Sequence, residues 1–168
     1  MRHIIAILLE NQAGALTRVA SLFSSRGYNI ESLNVAPTDN ESVSRLTVVT
    51  SGSDEVIHQI AKQVGKLVDV VSVVDMTGID HIERELALFK VRAPESSRAR
   101  LSTLLKEFGG HVLAYDEGHG TVELVASGPE IDRFMDAVAD LAEIETVVRS
   151  GAMAMARGAP LLDAHAER

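Results

Sequence analysis

One order of patterns occurs twice along this chain, and few folds accommodate it. Four segments place apolar residues at i, i+3, i+4 and i+7, the stripe of a helix with one buried face. They are Leu16, Val19, Ala20 and Phe23; Ile57, Ile60, Ala61 and Val64; Leu101, Leu104, Leu105 and Phe108; and Ile131, Phe134, Met135 and Val138. Around them, short runs rich in Val, Ile and Thr predict strands at 4–9, 30–36, 43–50, 67–75, 86–93, 111–115, 121–126 and 144–149. The order is βαββαβ, then βαββαβ again.

A unit of roughly eighty residues with that order folds as a four-stranded antiparallel sheet with both helices on one face. The predicted class is α+β, two ferredoxin-like modules in tandem. Punctuation agrees with the parse. Gly27 follows the first helix, and Gly109 and Gly110 follow the third, where a left-handed closing residue is wanted. Ser127, Gly128 and Pro129 open the fourth helix, where proline forfeits no hydrogen bond. The stretch around Gly78 and Asp80 reads as the linker, which gives a first domain over 1–77 and a second over 82–157. The remaining residues, 158–168, read as a flexible tail.

A four-stranded sheet with helices on one side leaves its other face open, and here that face is apolar. Every position of 4–9 is apolar, and 67–75 puts Leu67, Val71 and Val73 on one face with Val68, Val70 and Val74 on the other. Two covers are compatible with this pattern: the second half of the chain, or another subunit.

Charge and composition restrict partners. A net charge of −8 disfavours nucleic acid and anionic membrane surfaces, because phosphates are repelled where no basic patch overrides the overall field. The apolar run 4–9 is far shorter than the roughly 20 residues of a membrane span, so a cytoplasmic protein is expected. With no cysteine, disulfides, thiolate nucleophiles and thiolate metal sites are ruled out.

The stretch LLENQAGALTRVASLF joins the first strand to the first helix. The first turn of a helix carries unpaired amides and partial positive charge, which suits a carboxylate or phosphate. Gly14, lacking a Cβ, allows a ligand close to that backbone. Asn11 offers an amide donor and a carbonyl acceptor, for capping the helix or holding an ammonium group. A small zwitterion fits better than a phosphate, which calls for more glycines and a cationic loop residue. An ordinary capped turn has the same composition, and the residues alone leave both readings open.

The run LLENQAGALTRVASLFSSRGYNIESLNVAPTD, with SRLTVVT, KLVDVVSV, HIERELALFKV and a late RSG, resembles the regulatory small subunits of acetohydroxyacid synthase, also called acetolactate synthase. The first half resembles their ACT domain closely, whereas 95–130 matches in pattern only. The resemblance implies a non-catalytic subunit. It would bind and activate a catalytic large subunit, which carries thiamine diphosphate, magnesium and FAD, and confer feedback inhibition by valine or a related branched-chain amino acid. It also implies a homodimer in which two ACT domains pair edge to edge into one eight-stranded sheet. The effector site it implies contains Asn11, Gly14, Ala15 and Leu16 of the turn, with Asn29 and Ile30 from the neighbouring subunit. Turn amides would take the effector carboxylate, asparagine oxygens its ammonium, and Leu16 and Ile30 its branched tail. A free-standing amino-acid sensor of the same fold acting on another partner is the alternative.

The turn of the second half reads VRAPESSRARL, with a proline and no glycine, so no equivalent site is expected there. The hairpin YDEGHGT gathers Asp116, Glu117 and His119, either as a solvated turn or as metal ligands. No nucleophile, base and orienting group form a constellation. The strand 43–50 carries no aromatic residue of the kind that stacks RNA bases.

Overall fold

In a computed structural model of the chain, residues 1–165 are described. The first sheet contains β1 (Arg2–Glu10), β2 (Ser32–Pro37), β3 (Val43–Ser51) and β4 (Val70–Asp75), with helices α1 (Ala15–Ser25) and α2 (Asp54–Val64). The second contains β5 (His81–Arg92), β6 (His111–Asp116), β7 (His119–Ala126) and β8 (Glu143–Arg149), with α3 (Glu95–Glu107) and α4 (Gly128–Val138). A short strand not anticipated from the sequence, β9 (Met153–Ala156), pairs with β5. Strand orders β2-β3-β1-β4 and β6-β7-β5-β8 are the same topology twice, and neighbouring strands along both orders run antiparallel. The two ferredoxin-like modules are therefore present as predicted.

Each module buries its own helix stripe. In the first, Ile5, Ile7 and Leu9 of β1 and Leu46 and Val48 of β3 meet Val19 and Phe23 of α1 and Ile57, Ile60 and Val64 of α2. In the second, Phe134 of α4 sits edge-on to Phe89 of β5 and Phe108, with centroids 5.3 and 5.5 Å apart. β4 starts later than the predicted residue 67, because Leu67 and Val70 belong to a turn in which the Val70 amide donates to the Leu67 carbonyl at 3.0 Å.

The described residues divide into one compact unit of Met1–Ile82 together with 153–165, and a second of Glu83–Ala152. This differs from the division expected at 77 and 82, and the residues past 152 account for most of the difference. Register puts Ile4, Ala6 and Leu8 on the helix-free face of the first sheet, opposite Val49, Thr47 and Arg45. Arg45 Nη2 donates to the Ala154 carbonyl at 2.6 Å on this face. Leu162 is buried, Asn40 Nδ2 donates to the Ala164 carbonyl at 2.9 Å, and His165 Nε2 lies 3.1 Å from Asp39 Oδ2. The alternation of Met153, Ala154, Met155 and Ala156 supplies small inward residues, so β9 lies close over the sheet. The cover seen on the apolar face is thus the chain's own C-terminal segment, which was read from the sequence as the end of the second domain and a loose tail. Residues 166–168 of that tail lie outside the described residues.

Candidate functional site

β1 ends at Glu10, and four residues carry the chain to α1. Asn11 is fixed twice by the loop before β3: its amide donates to the Ser42 carbonyl at 2.8 Å, and its Nδ2 to the Glu41 carbonyl at 3.0 Å. The donor half of that side chain is spent on the fold. Its Oδ1 accepts nothing among the described residues and is left for a donor such as an ammonium group.

Gly14 caps α1 in the left-handed region, at φ 85°, ψ −11°, without any side-chain cap. The other module opens α4 with a capping box, and α2 has Ser53 accepting from the Val56 amide, so α1 is bare by comparison. The Ala15 amide is already used, donating to the Gln12 carbonyl at 3.2 Å, whereas the amides of Leu16 and Thr17 have no acceptor among the described residues. Leu16 is 37% exposed and Ala15 is buried. The turn therefore presents two free amides, an asparagine oxygen and an exposed leucine to the same end of the helix.

Arg18 and Asp69 frame this turn and were not anticipated from the sequence. Arg18 Nη2 donates to Asp69 Oδ1 at 2.8 Å, and its Nε donates to Oδ2. The hydrogen bond to Asp69 raises the Arg18 pKa above its ordinary value. A Cβ built on Gly14 would stand 3.0 Å from Arg18 Nη1. The guanidinium thus lies directly under the glycine, its charge balanced by the Asp69 carboxylate, and the bare amides stand beside it. The equivalent helix position in the second module, Arg98, instead lies 4.5 Å over the Tyr115 ring, and Pro94 replaces the left-handed glycine.

Asn29 and Ile30 sit at the far end of α1, just before β2. An eleven-residue helix spans about 16 Å, so one copy of the chain does not unite them with Asn11 and Gly14. The Asn29 carbonyl accepts from Thr50 Oγ1 at 2.6 Å, its side chain is without a hydrogen bond among the described residues, and Ile30 packs partly against the first core. β2 is the edge of its sheet, and Val35 on it is 41% exposed.

In the second module, Glu117 and Gly118 at the tip of the β6–β7 hairpin both have positive φ, 50° and 88°, the geometry of a tight two-residue turn. His119 Nδ1 approaches Glu145 Oε2 of β8 at 2.6 Å, and Arg92 Nη2 reaches Glu145 Oε1 at 2.7 Å. Among the described residues no three His, Asp or Glu side chains are grouped to hold a metal ion. Among the described residues no helix is long and apolar enough to cross a membrane.

The family models match in the same two-part frame. Residues 5–72 match the AHAS small subunit-like ACT domain, and residues 84–158 match the small subunit of acetolactate synthase. The small subunit of acetolactate synthase isozyme 3 from Escherichia coli is 43% identical over 158 residues, covering 94% of this chain and 97% of that protein. The chain belongs to the acetolactate synthase small-subunit family. The Haemophilus influenzae acetolactate synthase small subunit is also 43% identical, with the same coverage. A solved structure of the family, the acetolactate synthase small subunit from Thermotoga maritima, superposes with a TM-score of 0.83 at 30% identity, covering 95% of this chain and 99% of that one. The bare glycine turn thus falls within the ACT domain of this family.

Proposed function

We propose that this chain is the regulatory, non-catalytic subunit of an acetolactate synthase in branched-chain amino-acid biosynthesis. It binds and activates a catalytic large subunit, and it transmits feedback inhibition by valine or a related branched-chain amino acid. The observation that carries this reading is the uncapped, left-handed Gly14 turn, with two free amides over the Arg18 guanidinium. A carboxylate accepted there meets the free amides and the positive end of the helix dipole, beside the Arg18–Asp69 pair.

The ammonium and the branched tail of the effector come to Asn11 Oδ1, Leu16 and a second copy's Asn29 and Ile30. Pairing of two β2 edges makes one eight-stranded sheet and brings the far end of one copy to the turn of the other. A site completed by two copies is sensitive to their arrangement, and a coupling of about 1 to 3 kcal/mol between effector and catalytic subunit suffices for feedback. The reaction itself, with thiamine diphosphate, magnesium and FAD, takes place on the large subunit.

Acetolactate formation by the large subunit, measured with and without this chain and with and without valine, tests the reading. The chain raises the rate and valine lowers it again. Gly14→Asp places a carboxylate over Arg18, competes with that of the effector, and removes valine inhibition while activation persists. Equal valine sensitivity in parent and variant excludes the turn as the effector site, and no activation by the parent excludes the regulatory role.

A further inference from the structure

On the helix-free face of the first sheet stands a cation with no acid partner among the described residues. Arg45 on β3 faces away from α1 and α2, its register partners are Leu8 and Ala36, and its recorded bond is from Nη2 to the Ala154 carbonyl at 2.6 Å. A guanidinium has five N–H donors, and among the described residues no carboxylate comes within ion-pair distance of this one. Three carboxylates of the same unit have other partners: Asp80 pairs with Arg157, Asp39 with His165, and Asp163 accepts from the His165 amide. The side chain is half-buried, and burial lowers its pKa with no opposing charge to restore it. A desolvated, unpaired cation is costly to keep unless something pairs with it.

Space for that partner is present. A cavity of about 160 Å³ opens beside the guanidinium, walled by Met76, Met155, Pro160, Leu161 and Leu162. A six-carbon ring fills a cavity of about 150 Å³, so this volume suits a molecule of five or six carbons. The walls are apolar apart from Arg45. One forked cation in an apolar chamber matches a single carboxylate carrying an aliphatic tail, and it matches poorly a phosphate, which needs several donors.

We infer that the chamber between β3 and the C-terminal segment binds a short aliphatic monocarboxylate, its carboxylate on Arg45 and its hydrocarbon tail against Met155, Leu161 and Leu162. The chamber is separate from the Gly14 turn, which lies beyond the end of β1 at the start of α1, and it requires no ammonium group. The inference does not rest on the proposed effector site.

Isovalerate, which has a branched tail and a carboxylate but no ammonium, is the probe. Titrated by calorimetry into the full chain, it binds saturably, and its neutral amide, isovaleramide, does not. Arg45→Gln, which keeps a donor for the Ala154 carbonyl, weakens isovalerate at least about tenfold through loss of the charge-assisted pair. Ala156→Leu, which fills the chamber from β9, weakens it likewise, whereas Gly14→Asp leaves it unchanged. No heat up to tens of millimolar isovalerate overturns the inference. So does equal affinity in the parent and Arg45→Gln, or binding lost in Gly14→Asp and retained in both chamber variants.

Discussion

Gly14 answers to backbone and neighbour at once. At φ 85° an L-residue is strained, and any Cβ would press on Arg18 Nη1. Gly14→Ala therefore destabilises the chain by about 1 kcal/mol, seen as a lower urea midpoint with an unchanged slope. An unmoved midpoint would mean that the left-handed turn is not held in solution. The glycine and asparagine of this turn stand out in the sequence, but between a strand and a helix they fit an ordinary capped turn as well as a ligand site. Arg18 and Asp69 were not legible there, since their pairing spans 51 positions and exists only once β4 is laid beside β1. Asn11 was read as a helix cap or an ammonium ligand; the fold uses its donor for the Glu41 loop and leaves its oxygen.

Among elements, α4 shows how local chemistry fixes an end. The Ser127 hydroxyl and amide both donate to Glu130 Oε2, at 2.6 and 2.9 Å, and these bonds hold the Glu130 carboxyl below the usual carboxylate range. A carboxyl whose folded pKa lies below its unfolded one contributes stability that is fully present above the unfolded pKa and is lost as pH falls through the folded one. Ser127→Ala thus costs about 1 kcal/mol near neutrality, and the gap between parent and variant narrows below about pH 4. Urea melts of both proteins across that range check it, and a constant gap would show that Glu130 is not the partner. At the β6–β7 tip, a positive φ at Glu117 favours asparagine, so Glu117→Asn stabilises by roughly 0.5 to 1 kcal/mol in the same measurement. The helices were legible because an apolar stripe at helical spacing is a strong signal. β9 was not, since alternating Met and Ala have little strand preference, and pairing with β5 supplies what propensity lacks.

At the scale of the whole chain, an apolar sheet face was visible from β1 alone, but its cover was not. The C-terminal segment returns to the first unit and anchors through Arg45 to Ala154, Asn40 to Ala164 and the buried Leu162. Leu162→Ala costs about 2 kcal/mol, measured as a fall in unfolding free energy; a neutral effect would show that this segment does not seal the face. The turn where β1 meets α1 is where the proposed effector site lies. In the function proposed for the chain, the Gly14 turn, completed by a second copy's Asn29, holds a branched-chain amino acid. Calorimetry of valine binding to the full chain tests it most directly: saturable heat is predicted in the parent and none in Gly14→Asp or Asn29→Ala. No heat in the parent, or undiminished heat in both variants, would contradict it.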